Sequence, residues 1–251
     1  FDTWDRRFYR QAESSYDNHL KLRVKEYAYL GDDGKYLSFP TCFVEIKARR
    51  SGVVTKRRVP IARRDLGRLF QGEDVWDSVV AAVGHEPSQN ITAAYVTLKR
   101  FIDRFETQPA SLVSYRRSVY QESEGTLRIT FDDQVSVFDA HPEHCTRPES
   151  LTPAVLGEPV TQYPKVILEV KCPSDVYPEW LRSALADFRS RNLSKFTTSV
   201  RSLAGRTTDR PTGHAEGRGQ DFSGGGLSGG ESGSSRRDDP DTKSLQQPIQ
   251  N

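Results

Sequence analysis

The sequence predicts an α+β fold whose antiparallel strands close into a barrel, apolar outside, charged inside and covered by helices. Three observations lead there. Several segments alternate apolar and charged residues with the period of a strand. Two others carry apolar residues at helical spacing. The charged strand positions are mostly Lys and Arg, with few Ser, Thr or Gln.

Taking the strands in order, residues 20–27 place Leu20, Leu22 and Val24 on one face and Lys21, Arg23 and Lys25 on the other. Residues 43–49 repeat the pattern, with Val44, Ile46 and Ala48 opposed to Glu45, Lys47 and Arg49. Turn signals bracket this region at Gly31-Asp32-Asp33-Gly34 and Ser51-Gly52. Residues 53–61, 112–120, 127–132 and 165–171 complete the set, with Glu124-Gly125 as one hairpin turn. Arg117, Arg128, Glu169 and Lys171 carry the charged face onto these later strands.

Ile91, Ala94, Tyr95, Leu98, Phe101, Ile102 and Phe105 predict an amphipathic helix over 88–106, capped by Ser88 or Asn90. A second helix is expected after Tyr177, with Pro178 at its first position and Leu181, Ala184, Leu185 and Phe188 on one face. Residues 139–164 are Pro-rich and read as a loop. Residues 1–205 read as one domain. Residues 206–251 read as a disordered Gly/Ser-rich tail, because such a composition cannot bury enough apolar surface to offset the entropy of ordering.

Of 251 residues, 35% are hydrophobic and 28% charged, with 36 Lys+Arg against 34 Asp+Glu. That balance does not announce a nucleic-acid binder. No run approaches the ~18 apolar residues of a membrane span, and no signal peptide is visible. Cys42, Cys145 and Cys172 are scattered and odd in number, which argues against a disulfide framework or a cysteine zinc site. A reducing, cytoplasmic setting is expected. The chain opens on Phe1 and holds no methionine, which reads as a fragment or a trimmed chain.

An interior lined by Lys and Arg repels itself when empty, so its natural occupant is a polyanion. Same-face side chains recur every ~6–7 Å along a strand, so successive cations can hold successive phosphoryl groups. Glu169 among cations suits Mg²⁺ or Mn²⁺ shared with phosphate oxygens. The bland alternative for Glu45 and Glu169 is an ion pair with a neighbouring Lys. For any single strand it is a solvated outer face. His141 and His144 sit in the Pro-rich loop, and no His fits a triad or metal spacing.

Phe8-Tyr9-Arg10-Gln11, Leu22-Arg23-Val24-Lys25, Val44-Glu45-Ile46-Lys47, Gly52-Val53-Val54-Thr55-Lys56-Arg57-Arg58, Ser114-Tyr115-Arg116-Arg117, Leu127-Arg128-Ile129-Thr130-Phe131-Asp132, Leu168-Glu169-Val170-Lys171 and Leu193-Ser194-Lys195-Phe196 appear in that order. Together they resemble the VTC-type polyphosphate polymerase domain of the triphosphate tunnel metalloenzymes, also called CYTH-like. The resemblance implies an antiparallel eight-stranded tunnel. Its activity would be transfer of the ATP γ-phosphoryl group to a growing polyphosphate chain, with Mn²⁺ or Mg²⁺. It implies phosphate-handling roles for Arg23, Lys25, Lys47, Arg117, Arg128, Lys171 and Lys195. Tyr115, Ser194 and Glu45 would contact substrate, and Glu169 would bind the metal.

Some positions depart from the pattern. The family begins with a helix and a strand bearing active-site Glu and Lys, and this chain opens after that strand. An open barrel edge and little activity are expected of it. Lys25 stands where Arg is commoner, and Asn192 where some relatives carry a second Lys. Two other readings remain at this point: a triphosphate hydrolase on the same fold, and a non-catalytic polyphosphate-binding module. A nucleic-acid module ranks last, since the basic residues alternate inward with no surface stripe interleaved with aromatics. No partner of the tail is legible.

Overall fold

In the computed structural model the chain divides into two units, Phe1–Arg210 and Pro211–Asn251. The structure describes residues 1–15, 17–123, 127–172, 177–188 and 193–205. The Glu124-Gly125 turn, Asn192 and the tail lie outside these.

The strands β1 (His19–Lys25), β4 (Thr41–Arg50) and β5 (Val53–Ala62) form an antiparallel sheet in the order β1-β4-β5, and β2 (Ala28–Leu30) pairs with β3 (Tyr36–Ser38) as a short hairpin. Ser51 and Gly52 turn β4 into β5, both with positive φ (47° and 81°), as a tight two-residue hairpin loop requires. A second antiparallel sheet is built on β7 (Arg128–Phe138). On one side it pairs with β6 (Leu112–Gln121), on the other with β8 (Thr161–Gln162) and β9 (Ile167–Lys171). No ladder joins these two sheets among the described residues. The fold is therefore mixed α and β with antiparallel sheets.

Alternation decides what each sheet buries. Leu22, Val44, Ile46, Val59 and Ile61 point to one side of the first sheet and are buried with Phe8, Leu66, Leu69, Val79, Leu98, Phe101 and Ile102 from the helices. Those helices are α1 (Arg7–Ser14), α2 (Leu66–Phe70), α3 (Trp76–Val83) and α4 (Gln89–Phe105). Ser88 caps α4 by accepting from the Ile91 amide, as its sequence pattern predicts. The start of α1 is held from further away, where buried Asp2 accepts from the Phe8 and Tyr9 amides at 2.8 and 2.9 Å.

The sequence pattern anticipates two of eight helices among the described residues as periodic segments. Helices α1, α2 and α3 are five to eight residues long, too short to show a clear 3.6-residue period. The segment read as a loop holds α5 (Glu143–Thr146), α6 (Pro153–Leu156) and β8. Helix α7 (Glu179–Leu185) starts one residue after Pro178 and buries Leu181 against Leu127 and Ile129 of the second sheet, leaving Phe188 exposed. The last helix is α8 (Lys195–Ala204). No helix among the described residues is long and apolar enough to cross a membrane.

Arg63, just after β5, is almost fully buried. Its Nε lies 2.7 Å from Glu26, and its Nη atoms donate to the carbonyls of Cys145 and His144. This ties the end of the first sheet to α5. Burial pushes the Glu26 carboxyl up, against the pull of Arg63. Arg63→Met should destabilise the fold by about 3–5 kcal/mol in urea unfolding, because it strands a buried carboxylate. Adding Glu26→Gln should recover much of that loss. A double variant as unstable as the single one would show that the pair is not the cause.

Candidate functional site

The side of the first sheet opposite the core carries its charges in cross-strand levels. Lys25, Phe43 and Pro60 form one level, and Arg23, Glu45 and Arg58 the next. Lys21, Lys47 and Lys56 form a third, and His19, Arg49 and Val54 a fourth. The levels recur every ~6–7 Å, twice the rise of a strand residue.

Glu45 is the hub of this face, with no exposed surface of its own. Arg23 and Arg58 each approach its carboxylate to 2.6 Å, Lys25 to 3.6 Å and Lys56 to 3.7 Å. Burial pushes the Glu45 carboxyl up, but Arg23, Lys25 and Arg58 outweigh it and hold the group at about 2. Glu45 thus sits beneath the cations as their counter-charge.

The third level has no carboxylate in register. Burial, then Lys47 and Arg23, pull the Lys21 ammonium down to about 8. Burial and Arg23 bring Lys25 to about 8 as well, despite Glu45. Lys47 is lowered by burial, Arg23 and Lys171.

The second sheet has a matching face. Alternation puts Arg128, Thr130 and Asp132 of β7 on one side, paired in register with Lys171, Glu169 and Ile167 of β9. On β6, Arg117 stands opposite Asp132. A register shift between Ser114 and Arg116, with Gln134 at φ 51°, bends the pair there. Asp132 is buried and accepts a two-pronged contact from Arg117 at 2.5 and 2.7 Å, and a third from Lys195 at 2.5 Å. Burial raises its carboxyl, and the hydrogen bonds from Arg117 and Lys195 more than reverse that. The Arg117 guanidinium and the Lys195 ammonium lie 5.3 and 4.9 Å from the centre of the Tyr115 ring. Arg128 Nε and Thr130 Oγ1 are buried without a hydrogen-bond partner among the described residues.

The two charged faces lie near each other. Lys47 feels the charges of Lys171 and Glu169, and Tyr115 those of Arg23 and Tyr27. The start of α8 bridges them. Ser194 caps the helix by accepting from the Thr197 amide, accepts from Lys21 at 3.1 Å, and is followed by Lys195 on Asp132.

The structure thus brings together Arg23, Lys25, Glu45, Lys47, Tyr115, Arg117, Arg128, Glu169, Lys171, Ser194 and Lys195, the residues singled out in the sequence. It adds Lys21, Lys56, Arg58 and Asp132. Period-2 counting along 53–61 and 127–132 puts Lys56, Arg58 and Asp132 on the same faces, so their signal was present.

Glu169 is half exposed, 3.5 Å from Lys171 and 3.9 Å from Arg117. No cluster of three acidic, His or Cys side chains fit for a metal occurs among the described residues. A lone carboxylate does suit a hard divalent cation that takes its other ligands from phosphate and water.

The folded-state value of Glu45 lies below its ordinary 4.5. Its contribution to stability is therefore present above that pH and lost as pH falls toward 2. The melting temperature of the wild type should fall more steeply between about pH 5 and about pH 2.5 than that of Glu45→Gln. Parallel curves would assign the acid sensitivity to other carboxylates.

Residues 1–204 match the VTC domain, the span that holds both sheets and the eight helices of the described residues. No curated protein matches the chain. Two antiparallel sheets turning cationic faces to each other, with the family's motifs on those faces, agree with that match, and the chain belongs to the VTC domain family, the polyphosphate polymerase domain of the triphosphate tunnel metalloenzyme superfamily.

Proposed function

We propose that this domain transfers the γ-phosphoryl group of ATP to the end of a growing polyphosphate chain, in a basic tunnel walled by the charged faces of the two sheets. The observation that carries the reading is the level of Lys21, Lys47 and Lys56, three lysines in register whose nearest carboxylate, Glu45 at 3.7 Å from Lys56, is already shared with Arg23, Arg58 and Lys25. It is joined by the buried Nε of Arg128 on the other sheet, which has no hydrogen-bond partner among the described residues. Such an arrangement is costly when empty and favourable when a polyanion threads it.

Phosphoryl transfer asks the protein mainly for alignment and charge neutralisation. A terminal oxygen of the acceptor phosphate forms a bond to the γ-phosphorus as the bond to the bridging β–γ oxygen breaks, and ADP leaves. The acceptor oxygen is already anionic near neutral pH, so no strong base is needed. Arg23, Arg58 and Arg117, held by Glu45 and Asp132, present N–H donors to phosphoryl oxygens in fixed directions. Lys21, Lys47, Lys56 and Lys171 spread positive charge along the chain. Mn²⁺ or Mg²⁺ held by Glu169 would supply further neutralisation at phosphate oxygens.

Incubation with ATP and Mn²⁺ of the protein together with any residues upstream of Phe1 should give long-chain polyphosphate and ADP, and Glu169→Gln should abolish the product. Orthophosphate in place of polymer would make the protein a hydrolase. Near-normal polymer formation by Glu169→Gln would return Glu169 to a partner of Lys171.

Binding alone supplies a second test. Arg128→Ala should weaken tripolyphosphate binding roughly tenfold to a hundredfold while leaving the melting temperature unchanged or raised. Wild-type affinity should also fall as pH rises through about 8, where Lys21 and Lys25 lose their protons. Retained affinity in Arg128→Ala, or unfolding of the variant, would remove this arginine from the binding site.

A further inference from the structure

The site is not uniform along its length. At one end the first sheet carries Phe43, in register with Lys25 and Pro60. Tyr27 lies just past the end of β1, two residues beyond Lys25. The Tyr27 and Phe43 rings meet edge to face at 5.9 Å, and the Arg58 guanidinium lies over Phe43 at 4.9 Å. The second sheet places Tyr115 near this end, close enough to sense Tyr27 and Arg23. Two levels further along stand Lys21, Lys47 and Lys56, with Lys171 close enough to act on Lys47, and His19, Arg49 and Val54 lie beyond them. Both sheets thus order their side chains the same way, aromatic rings first and cations after.

Phe43 and Tyr115 each have a cation at their ring, whereas Tyr27 is 45% exposed. An exposed ring beside a cationic groove matches a ligand that is flat and apolar at one end and polyanionic at the other. One level, ~6–7 Å, separates Phe43 from the arginines on Glu45. We propose that Tyr27, backed by Phe43 and Tyr115, forms the subsite for the base of a nucleoside triphosphate. The triphosphate then runs from the arginine level toward the lysine level, and polyphosphate extends past the lysines. The inference rests on the phosphoryl-transfer reading above and gives the site a direction. Stacking on a π face tolerates any base, so the subsite distinguishes a nucleotide from bare polyphosphate more than one nucleotide from another.

The test compares ATP with tripolyphosphate, which carries the anionic chain without the base. Dissociation constants for both are measured by calorimetry on wild type, Tyr27→Ala and Tyr27→Trp. The ratio of the ATP constant to the tripolyphosphate constant should rise about tenfold in Tyr27→Ala and stay within about twofold of wild type in Tyr27→Trp. An unchanged ratio in Tyr27→Ala overturns the base subsite while leaving the polyanion reading intact. A tenfold rise in Tyr27→Trp as well would overturn stacking as the interaction. Failure of the wild type to bind tripolyphosphate overturns the polyanion reading and this inference together.

Discussion

The structure depends on two buried carboxylates, Glu45 and Asp132, one in each sheet. Each stands under cations that could not otherwise be confined. A carboxylate withdrawn from water is tolerated only when its charge is met, and cations crowded on one face are eased by that same counter-charge. Glu45 meets Arg23 and Arg58, and Asp132 meets Arg117 and Lys195. These contacts fix where the arginine forks sit, which on the proposed function would reduce the ordering cost of binding.

That arrangement needs a rigid support, and the opposite face of the first sheet supplies it. The same alternation that turns Arg23 and Glu45 to one side turns Leu22, Val44 and Ile46 to the other, against Phe8, Leu98 and Phe101. A slip of one residue in the β1–β4 register would exchange the two faces completely. The hydrophobic core is therefore what specifies the charged site. The second sheet has a thinner cover, with α7 on Leu127 and Ile129, and is held further through Lys195 and Ser194 at the start of α8.

Much of this was legible in the sequence, because period 2 survives without tertiary information. The strands bearing Arg23, Glu45, Lys47, Arg117 and Arg128 are found by alternation, and so is the placing of Arg23, Glu45 and Lys47 on the face opposite the core. The closed barrel expected from them is not formed by the ladders of the described residues. The short helices were hidden: α1 buries only Phe8 and takes its cap from Asp2, outside any local capping pattern. The partner choice of each carboxylate was hidden too. Asp132 shares a face with Arg128, two strand levels away, yet bonds to Arg117 and Lys195, which depend on a register shift and a distant helix. Arg63 reads as one basic residue among many, and only the packing of α5 makes it the buried partner of Glu26.

The choice between arginine and lysine follows the same physics. Arg23, Arg58 and Arg117 each lie on a buried carboxylate. An arginine cannot shed its proton, so one crowded among other cations is favoured beside a permanent counter-charge. The level of Lys21, Lys47 and Lys56 has none in register, and there the residue is lysine throughout. A lysine can yield its proton when burial and neighbours demand it, and Lys21 at about 8 is close to doing so. Three arginines at that level would hold three fixed charges whether or not an anion were present. Lys21 lets the empty face relax by proton loss, and on the proposed function it would regain that charge when phosphate enters. On the proposed function, the arginine level on Glu45 keeps its counter-charge within the fold, and the lysine level gains most of its own with the ligand.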